Sequence, residues 1–581
     1  MVNKKIKGMK YIQKTLIIIA IFFISIQNFA RCEEPFDFSN SIHKPITAQN
    51  GMVVSENSYA TKAGLEVLKE GGNAVDAAVT MGFVLAVTFP RAGNLGGGGF
   101  MLVLDKDSDE IVAIDYREKA PKAATKDMFL DENGNADKEK SRHSIYSAGV
   151  PGTVAGLTLA LEKYGTISLK KALEPAIKLA EKGFPVSYEL KESLIDSKEY
   201  MKRSTESFSS YYKEDGEDYE VGEILKQKNL EWSLKQIKKN GPKAFYEGKI
   251  TAKIVDFMHA ENGLITKDDL TSYEPKIRNP IKGTYRGYEI YSMPPPSSGG
   301  VHIIEMLNIL EEFPLNTYAH NSADYIHLVS EVMKLAYADR SKYLGDPDFV
   351  DVPVNELTSK EYAKKLSKKI NLKKAPPSNK IEPGKPISEG TNTTHFSVMD
   401  KFGNVVSNTY TLNFSYGSKI SVPGTGILLN NEMDDFSAKS GVPNAYGLIG
   451  GEFNSIEPEK RMLSSMSPTI VLKDGKPFLA TGSPGGSRII NTVLQIILNT
   501  IEYEMNIGEA THSPRFHHQW LPDTLFIENG ISSDTTAILE KKGYKIENEG
   551  TIGSAQSIMK IGKYFYGSSD PRRPGGLTEG Y

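Results

Sequence analysis

Thr393-Thr-His-Phe-Ser-Val-Met-Asp400, Lys401-Phe-Gly-Asn404, Val405-Val-Ser-Asn-Thr-Tyr-Thr-Leu-Asn413 is the stretch on which the reading turns. It holds two strand-like runs around a short turn. A three-residue loop of Lys401, Phe402 and Gly403 puts glycine where positive φ is needed. Asp400 then pairs with Asn404, and counting back sets Thr393 opposite Thr411. Cross-strand Cβ atoms lie about 4.5–5.5 Å apart, so the two hydroxyls could hydrogen bond. A four-residue loop would break that pairing. Two threonines in a hairpin need no more than β-propensity to explain them, so the weight falls on their surroundings.

Upstream, residues 371–392 carry Lys373, Lys374, Lys380 and Lys385 among Pro376, Pro377, Pro383 and Pro386. That is linker composition, normally a domain boundary, and it stops abruptly at Thr393. Downstream, polar Asn430-Asn-Glu-Met-Asp-Asp-Phe436 follows apolar Ile427–Leu429, and Ser464-Ser-Met-Ser-Pro468 comes next. Thr481-Gly-Ser-Pro-Gly-Gly-Ser-Arg488 then opens an apolar helix. A Gly-Gly pair before a helix can aim backbone N–H groups at an anion.

Nearer the start, residues Ser58 to Glu70 read as a helix stopped by Gly71-Gly72. Asn73 caps a second helix, apolar on nearly all sides and hence buried. Gly93-Asn-Leu-Gly-Gly-Gly-Gly-Phe100 matches neither a P-loop nor a dinucleotide fingerprint, and reads as close backbone packing. Phe100–Leu104 and Ile111–Tyr116 alternate as a hairpin. Residues 165 to 275 are charge-rich and helical in pattern, with no catalytic constellation. Met293-Pro-Pro-Pro-Ser-Ser-Gly-Gly300 is a rigid turn into a helix from His302 to Leu310. His395 reads as strand-face packing and Asp346-Pro-Asp348 as a turn. His517-His518 gives no metal site, because adjacent strand side chains point to opposite faces.

The chain has 581 residues, a net charge of -3 and one cysteine. Its length alone suggests three or four domains. With 39% hydrophobic and 24% charged residues it is an ordinary globular protein,. The near-equal acidic and basic totals argue against nucleic-acid binding. Lone Cys32 excludes an internal disulfide and a Cys-based metal site. Lys4, Lys5, Lys7, Lys10 and Lys14 precede the apolar run Leu16–Ile26. That run is shorter than the roughly 20 residues a spanning helix needs, and the pattern is that of a secretory signal over residues 1–30. Cleavage after Ala30 fits; an uncleaved anchor and a lipoprotein signal at Cys32 are the alternatives. The protein is expected to be exported: periplasmic if the host has an outer membrane, otherwise secreted or membrane-anchored.

Together these motifs resemble the gamma-glutamyltransferase family of the N-terminal nucleophile hydrolase superfamily, from about Ile46 to Tyr581. The resemblance rests on residues 93–101, Tyr-Arg-Glu at 116–118, and 294–300. It rests also on Thr-Thr-His at 393–395, 430–436, 464–468 and 482–487. It implies an α+β fold, a four-layer αββα sandwich with two antiparallel sheets between helical layers. It implies a precursor that cuts itself between Asn392 and Thr393. The products would be a large subunit, 31–392, with a flexible tail at 372–392, and a small catalytic subunit, 393–581. These share one core as a heterodimer, rather than forming three or four domains.

The resemblance assigns Thr393 as nucleophile, Thr411 as its hydrogen-bonding partner, and the Gly485 and Gly486 N–H groups as oxyanion hole. Arg117 would pair with a substrate carboxylate, with Ser464 and Ser465 adding hydroxyls. Asn413, Glu432 and Asp435 would take the ammonium, and Tyr446 would sit on a lid loop, residues 440 to 451. Threonine needs a base, and an α-amino group freed by the cut, with a pKa near 7.7–8.0, is suited to serve. The expected substrates are glutathione and other γ-glutamyl compounds, with amino acids, peptides or water as acceptors. No cofactor and no metal are called for. The rivals are an acylase of the same scaffold acting on glutaryl-type amides, and a non-catalytic exported binding protein.

Overall fold

The Thr393–Asp400 and Val405–Thr411 strands pair antiparallel, with Thr393 opposite Thr411 and Met399 opposite Val405. Asp400 sets the turn. Its Oδ1 accepts from the N–H groups of Phe402, Gly403 and Asn404 at 2.8, 2.9 and 3.0 Å. Gly403 takes φ +104°, the left-handed conformation the loop requires,. The other Asp400 oxygen accepts from Ala74 N at 2.8 Å, tying the turn to the helix Ala74–Thr88. The expected register therefore holds. This computed structural model describes residues 38, 41–381, 393–438 and 451–581.

That hairpin lies at the centre of a seven-stranded sheet. In spatial order the strands are Leu577–Gly580, Gly51–Ser55, Thr393–Asp400, Val405–Thr411, Gly98–Asp105, Glu110–Tyr116 and Lys276–Arg278. A second seven-stranded sheet runs Ile46–Ala48, Tyr564–Ser569, Gln556–Ile561, Lys476–Thr481, Thr469–Lys473, Tyr288–Ser292 and Ile281–Tyr285. Every pairing in both is antiparallel.

Strand alternation sorts the side chains into layers. Met399 and Val405 face the second sheet and share a core with Phe100, Leu102, Ile470 and Ala480. Phe396, Val398 and Val406 face the other way, onto the helices Ser58–Lys69 and Ala74–Thr88. A third core packs the helices Gly299–Leu310, Ala323–Tyr343 and Arg488–Ile501 on the outer face of the second sheet. The order is helix, sheet, sheet, helix, the expected αββα sandwich. The Ala74–Thr88 helix is buried at every position and carries a capping box between Asn73 and Asp76,.

Each sheet holds strands from both sides of residue 393: in the first, Gly51–Ser55 lies between Leu577–Gly580 and Thr393–Asp400, and in the second, four strands from after it are flanked by three from before it, so neither part could complete the sheets alone. Of the tail read at 372–392, the described beginning is fastened down. Ala375 N donates to Lys542 O at 2.8 Å, Lys334 Nζ to Pro376 O at 2.6 Å, and Trp520 Nε1 to Ser378 O at 2.8 Å. Ser378 also donates its N–H to Asp523 at 2.9 Å. The leader at 1–30, Cys32, Asn392 and Tyr446 lie outside the described residues. No helix among the described residues is long and apolar enough to cross a membrane.

Candidate active site

Thr393 opens the central strand, and its Oγ1 donates to Thr411 Oγ1 at 3.4 Å. Thr411 Oγ1 also accepts from Asn413 N at 2.8 Å. Asn413 takes φ +77°, a conformation asparagine tolerates, which turns the chain out of the strand,. Arg573 Nη1 donates to the Thr393 carbonyl at 3.0 Å and pairs with buried Glu56 at 2.8 Å. This anchor for the Thr393 backbone has no signal in the sequence, which sets it 180 residues away.

The glycine run serves close packing, as expected. A Cβ on Gly97 would lie 2.1 Å from the Thr411 carbonyl. Asn430 and Asn431 fix the acidic turn Glu432–Asp435. Asn430 Oδ1 accepts from Glu432 N at 3.0 Å and from Gly149 N at 2.8 Å, while Asn431 Oδ1 accepts from Phe414 N at 3.2 Å. The proline-rich turn is the bed for the serine pair. Ser464 N donates to Pro296 O, and Ser298 N to Ser464 O, both at 2.8 Å. Arg340, buried and pushed down to about 10 by that burial, donates to Ser298 Oγ at 2.9 Å and to Ser465 Oγ at 3.2 Å.

These elements converge. Arg117, Thr393, Thr411, Asn413, Glu432, Asp435, Ser464, Ser465 and Gly486 line one cleft, joined by Met466 and Ile489. Gly485 and Gly486 lead into the Arg488–Ile501 helix with φ of +132° and +58°. Their carbonyls accept from Arg488 N and Ile489 N, both at 3.1 Å, and neither glycine N–H donates to another described residue. They remain available to an anion.

Arg117 is buried, and its side chain spans the acidic wall. Nη1 donates to Glu432 at 2.5 Å, Nη2 to Asp435, and Nε to Met462 O at 3.3 Å; Glu118 lies 3.6 Å away. Burial works against the guanidinium charge, but Glu432, Asp435 and Glu118 more than offset it and hold Arg117 above its usual value. Burial also raises all three carboxyls, against the pull of Arg117, with Glu118 pushed up to about 8. Arg117 thus faces three carboxyls that resist full ionisation, with Arg340 a second, weaker cation on Asp435,. With Arg117 drawn onto the acids the cleft encloses only about 20 Å³, the room of one water,. Glu118 belongs to the Tyr-Arg-Glu motif, yet its place beside the guanidinium had no sequence signal.

The family model for Gamma-glutamyltranspeptidase matches residues 60–579. The chain belongs to the gamma-glutamyltranspeptidase family. It is 53% identical over 549 residues to a glutathione hydrolase proenzyme of Escherichia coli (strain K12), covering 94% of each chain. It is 47% identical over 557 residues to a glutathione hydrolase proenzyme of Pseudomonas sp. (strain A14), covering 94% of this chain and 97% of that one. Among solved structures it resembles a cephalosporin acylase from Bacillus halodurans, with TM-score 0.83 and 28% identity over 94% of this chain and 99% of that one. Family membership brings with it the N-terminal nucleophile hydrolase fold, in accord with the four layers.

The remaining candidates are structural. His395 Nδ1 meets Thr409 Oγ1 at 2.8 Å and Nε2 meets Ser397 Oγ at 3.0 Å; burial pushes the ring down to about 3, so it stays neutral. His517 bonds Asn491 and Gln519, while His518 bonds Trp520 N and lies 3.5 Å from Asp523. Asp346 accepts from Asp348 N at 3.1 Å, closing the expected turn.

Proposed function

We propose that this protein is an exported, self-processing gamma-glutamyltransferase acting on glutathione and related γ-glutamyl compounds. The observation that carries the reading is the placement of Thr393 Oγ1, 3.4 Å from Thr411 Oγ1, in one cleft with Arg117 and its acids. In the precursor, Thr393 Oγ adds to the carbonyl of Asn392 and the Thr393 nitrogen leaves, giving an ester. Water opens the ester, leaving a carboxylate on Asn392 and a free amine on Thr393. That amine supplies a base which the precursor's amide nitrogen could not. The two subunits stay together through interleaved strands, and the leader at 1–30 directs export.

In turnover, the α-carboxylate of the glutamyl end takes the Arg117 guanidinium, whose planar fork suits it. The α-ammonium takes Glu432, Asp435 and the Asn413 carbonyl oxygen. Substrate thereby exchanges both halves of an ion pair already in the cleft, bringing a fixed cation to acids that burial holds above their usual values. Ser464 and Ser465 add hydroxyl donors. With both charges at one end held, the γ-carbonyl lies over Thr393. Thr393 Oγ attacks it, and the oxyanion meets the Gly485 and Gly486 N–H groups. Loss of one such donor costs about 2.7–4 kcal/mol in comparable enzymes. The amine leaves with a proton, and an amino acid, peptide or water takes the acyl group. Tyr446 would close over the pocket.

Intact mass of the purified protein tests the cut. Wild type should give two chains divided before Thr393, and Thr393→Ala a single uncut, inactive chain. Normal processing of that variant would place the nucleophile elsewhere. Comparing γ-glutamyl and glutaryl anilides separates the acylase reading, since a glutaryl group has no ammonium for Glu432 and Asp435. Equal turnover would favour the acylase.

A further inference from the structure

Opposite the catalytic cleft, the turns that close four hairpins gather at one end of the sandwich. They are the turns near Lys106, at Lys401–Gly403, at Lys473–Lys476, and after Ile561. They wall a groove of about 830 Å³. The groove is remote from the chemistry. The central strand runs from Asp400 to Thr393, about 23 Å at roughly 3.3 Å per residue,. Its volume falls within the roughly 300–1,000 Å³ of organic-ligand sites.

The lining has two characters. Phe402, Phe478 and Met559 give it an apolar surface, and Phe402 is 52% exposed. Around them stand Lys401, Lys473, Lys476 and Lys560. Elsewhere lysines are commonly paired, as Lys191 is with Glu220 and Lys360 with Glu311. None of these four forms an ion pair among the described residues. Three lie over rings instead: Lys401 over Phe402 at 5.2 Å, Lys473 over Tyr288 at 5.0 Å, and Lys560 over Phe565 at 4.8 Å. Lys106, the fifth, is held by Asp109. Asp474 and Glu504 are the acids of the lining. Half-buried Lys560 is held below the usual lysine value by burial, with Asp400 opposing and Lys476 adding repulsion. In a chain of net charge -3, four unmatched cations on a concave apolar surface form a local inversion of sign.

We propose that this groove binds an elongated organic anion, its acidic head between Lys476 and Lys560 and its apolar chain or ring laid against Phe402 and Phe478. The head supplies the counter-charge that the lysines lack. The apolar body covers the Phe402 ring, which otherwise faces water, and rests on the edge of largely buried Phe478. The concave shape and the two-part lining fit an amphiphile with a carboxylate, phosphate or sulfonate head. They do not fit a bare inorganic anion, which would leave Phe402 uncovered.

The test uses the full processed protein and dodecyl phosphate below its micelle concentration, followed by calorimetric titration. Wild type should bind one equivalent. The double variant K476E/K560E should weaken binding at least tenfold, and Phe402→Ala should weaken it severalfold. Inorganic phosphate should bind at least tenfold more weakly than dodecyl phosphate. Turnover of a γ-glutamyl anilide should be unchanged in all variants, which also reports that they fold. Equal binding by K476E/K560E would overturn the proposal. So would equal affinity for dodecyltrimethylammonium, which keeps the tail and reverses the head. A wild-type dimer that dissociates in K476E/K560E would also overturn it, giving the groove to a second copy of the chain.

Discussion

Replacing Arg117 by lysine keeps the charge and removes the fork. The guanidinium reaches Glu432, Asp435 and the Met462 carbonyl from three separate nitrogens. A lysine ammonium is one nitrogen at the end of a flexible stem and cannot span the same partners. Toward a substrate carboxylate, the variant forfeits at least one charge-assisted hydrogen bond, about 1.5–3 kcal/mol. At about 1.4 kcal/mol per factor of ten, KM for the donor should rise by about 10- to 150-fold. The reacting carbonyl lies at the other end of the glutamyl chain, so kcat should fall less. Initial rates with γ-glutamyl-p-nitroanilide would measure both constants, with single-turnover kinetics separating affinity from chemistry. Intact mass would show that the cut before Thr393 still occurs. A KM within about twofold of wild type in a fully processed variant would refute the carboxylate assignment.

Thr411→Val keeps the shape and deletes the hydroxyl that receives Thr393 and Asn413 N–H. It should slow processing and turnover and lower stability by about 1–3 kcal/mol for the stranded N–H, with Thr411→Ser restoring most of the loss; a Val variant with normal rates would remove Thr411 from the chemistry. Gly97→Ala drives a Cβ to 2.1 Å from the Thr411 carbonyl, so it should cost about 1–3 kcal/mol or more, visible as a lower melting temperature and retarded processing. Burial drops His395 from 6.5 to about 3, so between those values the unfolded chain binds a proton that the folded chain refuses. Stability should therefore fall as pH drops below 6.5, by up to about 1.4 kcal/mol per pH unit from this ring. His395→Gln should flatten the melting temperature profile over that range, and an unchanged slope would mean the ring is not the group responsible.

Much of the fold was legible because its signals are local. Asn73 announces a capped helix, and the all-apolar run behind it announces burial. The Lys401–Gly403 turn set the register that places Thr393 against Thr411. A strand repeats every two residues, so one turn of known length aligns a whole hairpin. The Pro- and Lys-rich stretch before Thr393 has the composition of a domain boundary. The interleaved strands explain why it is not one: each sheet needs strands from both sides of it.

The sequence by itself determined which residue types the chemistry has at hand. These are a threonine behind an atypical linker, a glycine pair before a helix, and an arginine with a distant acidic cluster. Tertiary structure alone decided how the charges are balanced. Arg117 and Glu432 are 315 positions apart, and Arg573 reaches the Thr393 carbonyl across 180. Neither contact has any periodicity to reveal it. The same holds for the unmatched lysines at the far end, whose sequence neighbourhoods are ordinary turns. Hairpin turns look alike in sequence; only stacking two sheets brings four of them to one groove. Local order follows from short-range sterics and capping, whereas an electrostatic site depends on which distant segments share a low-dielectric interior.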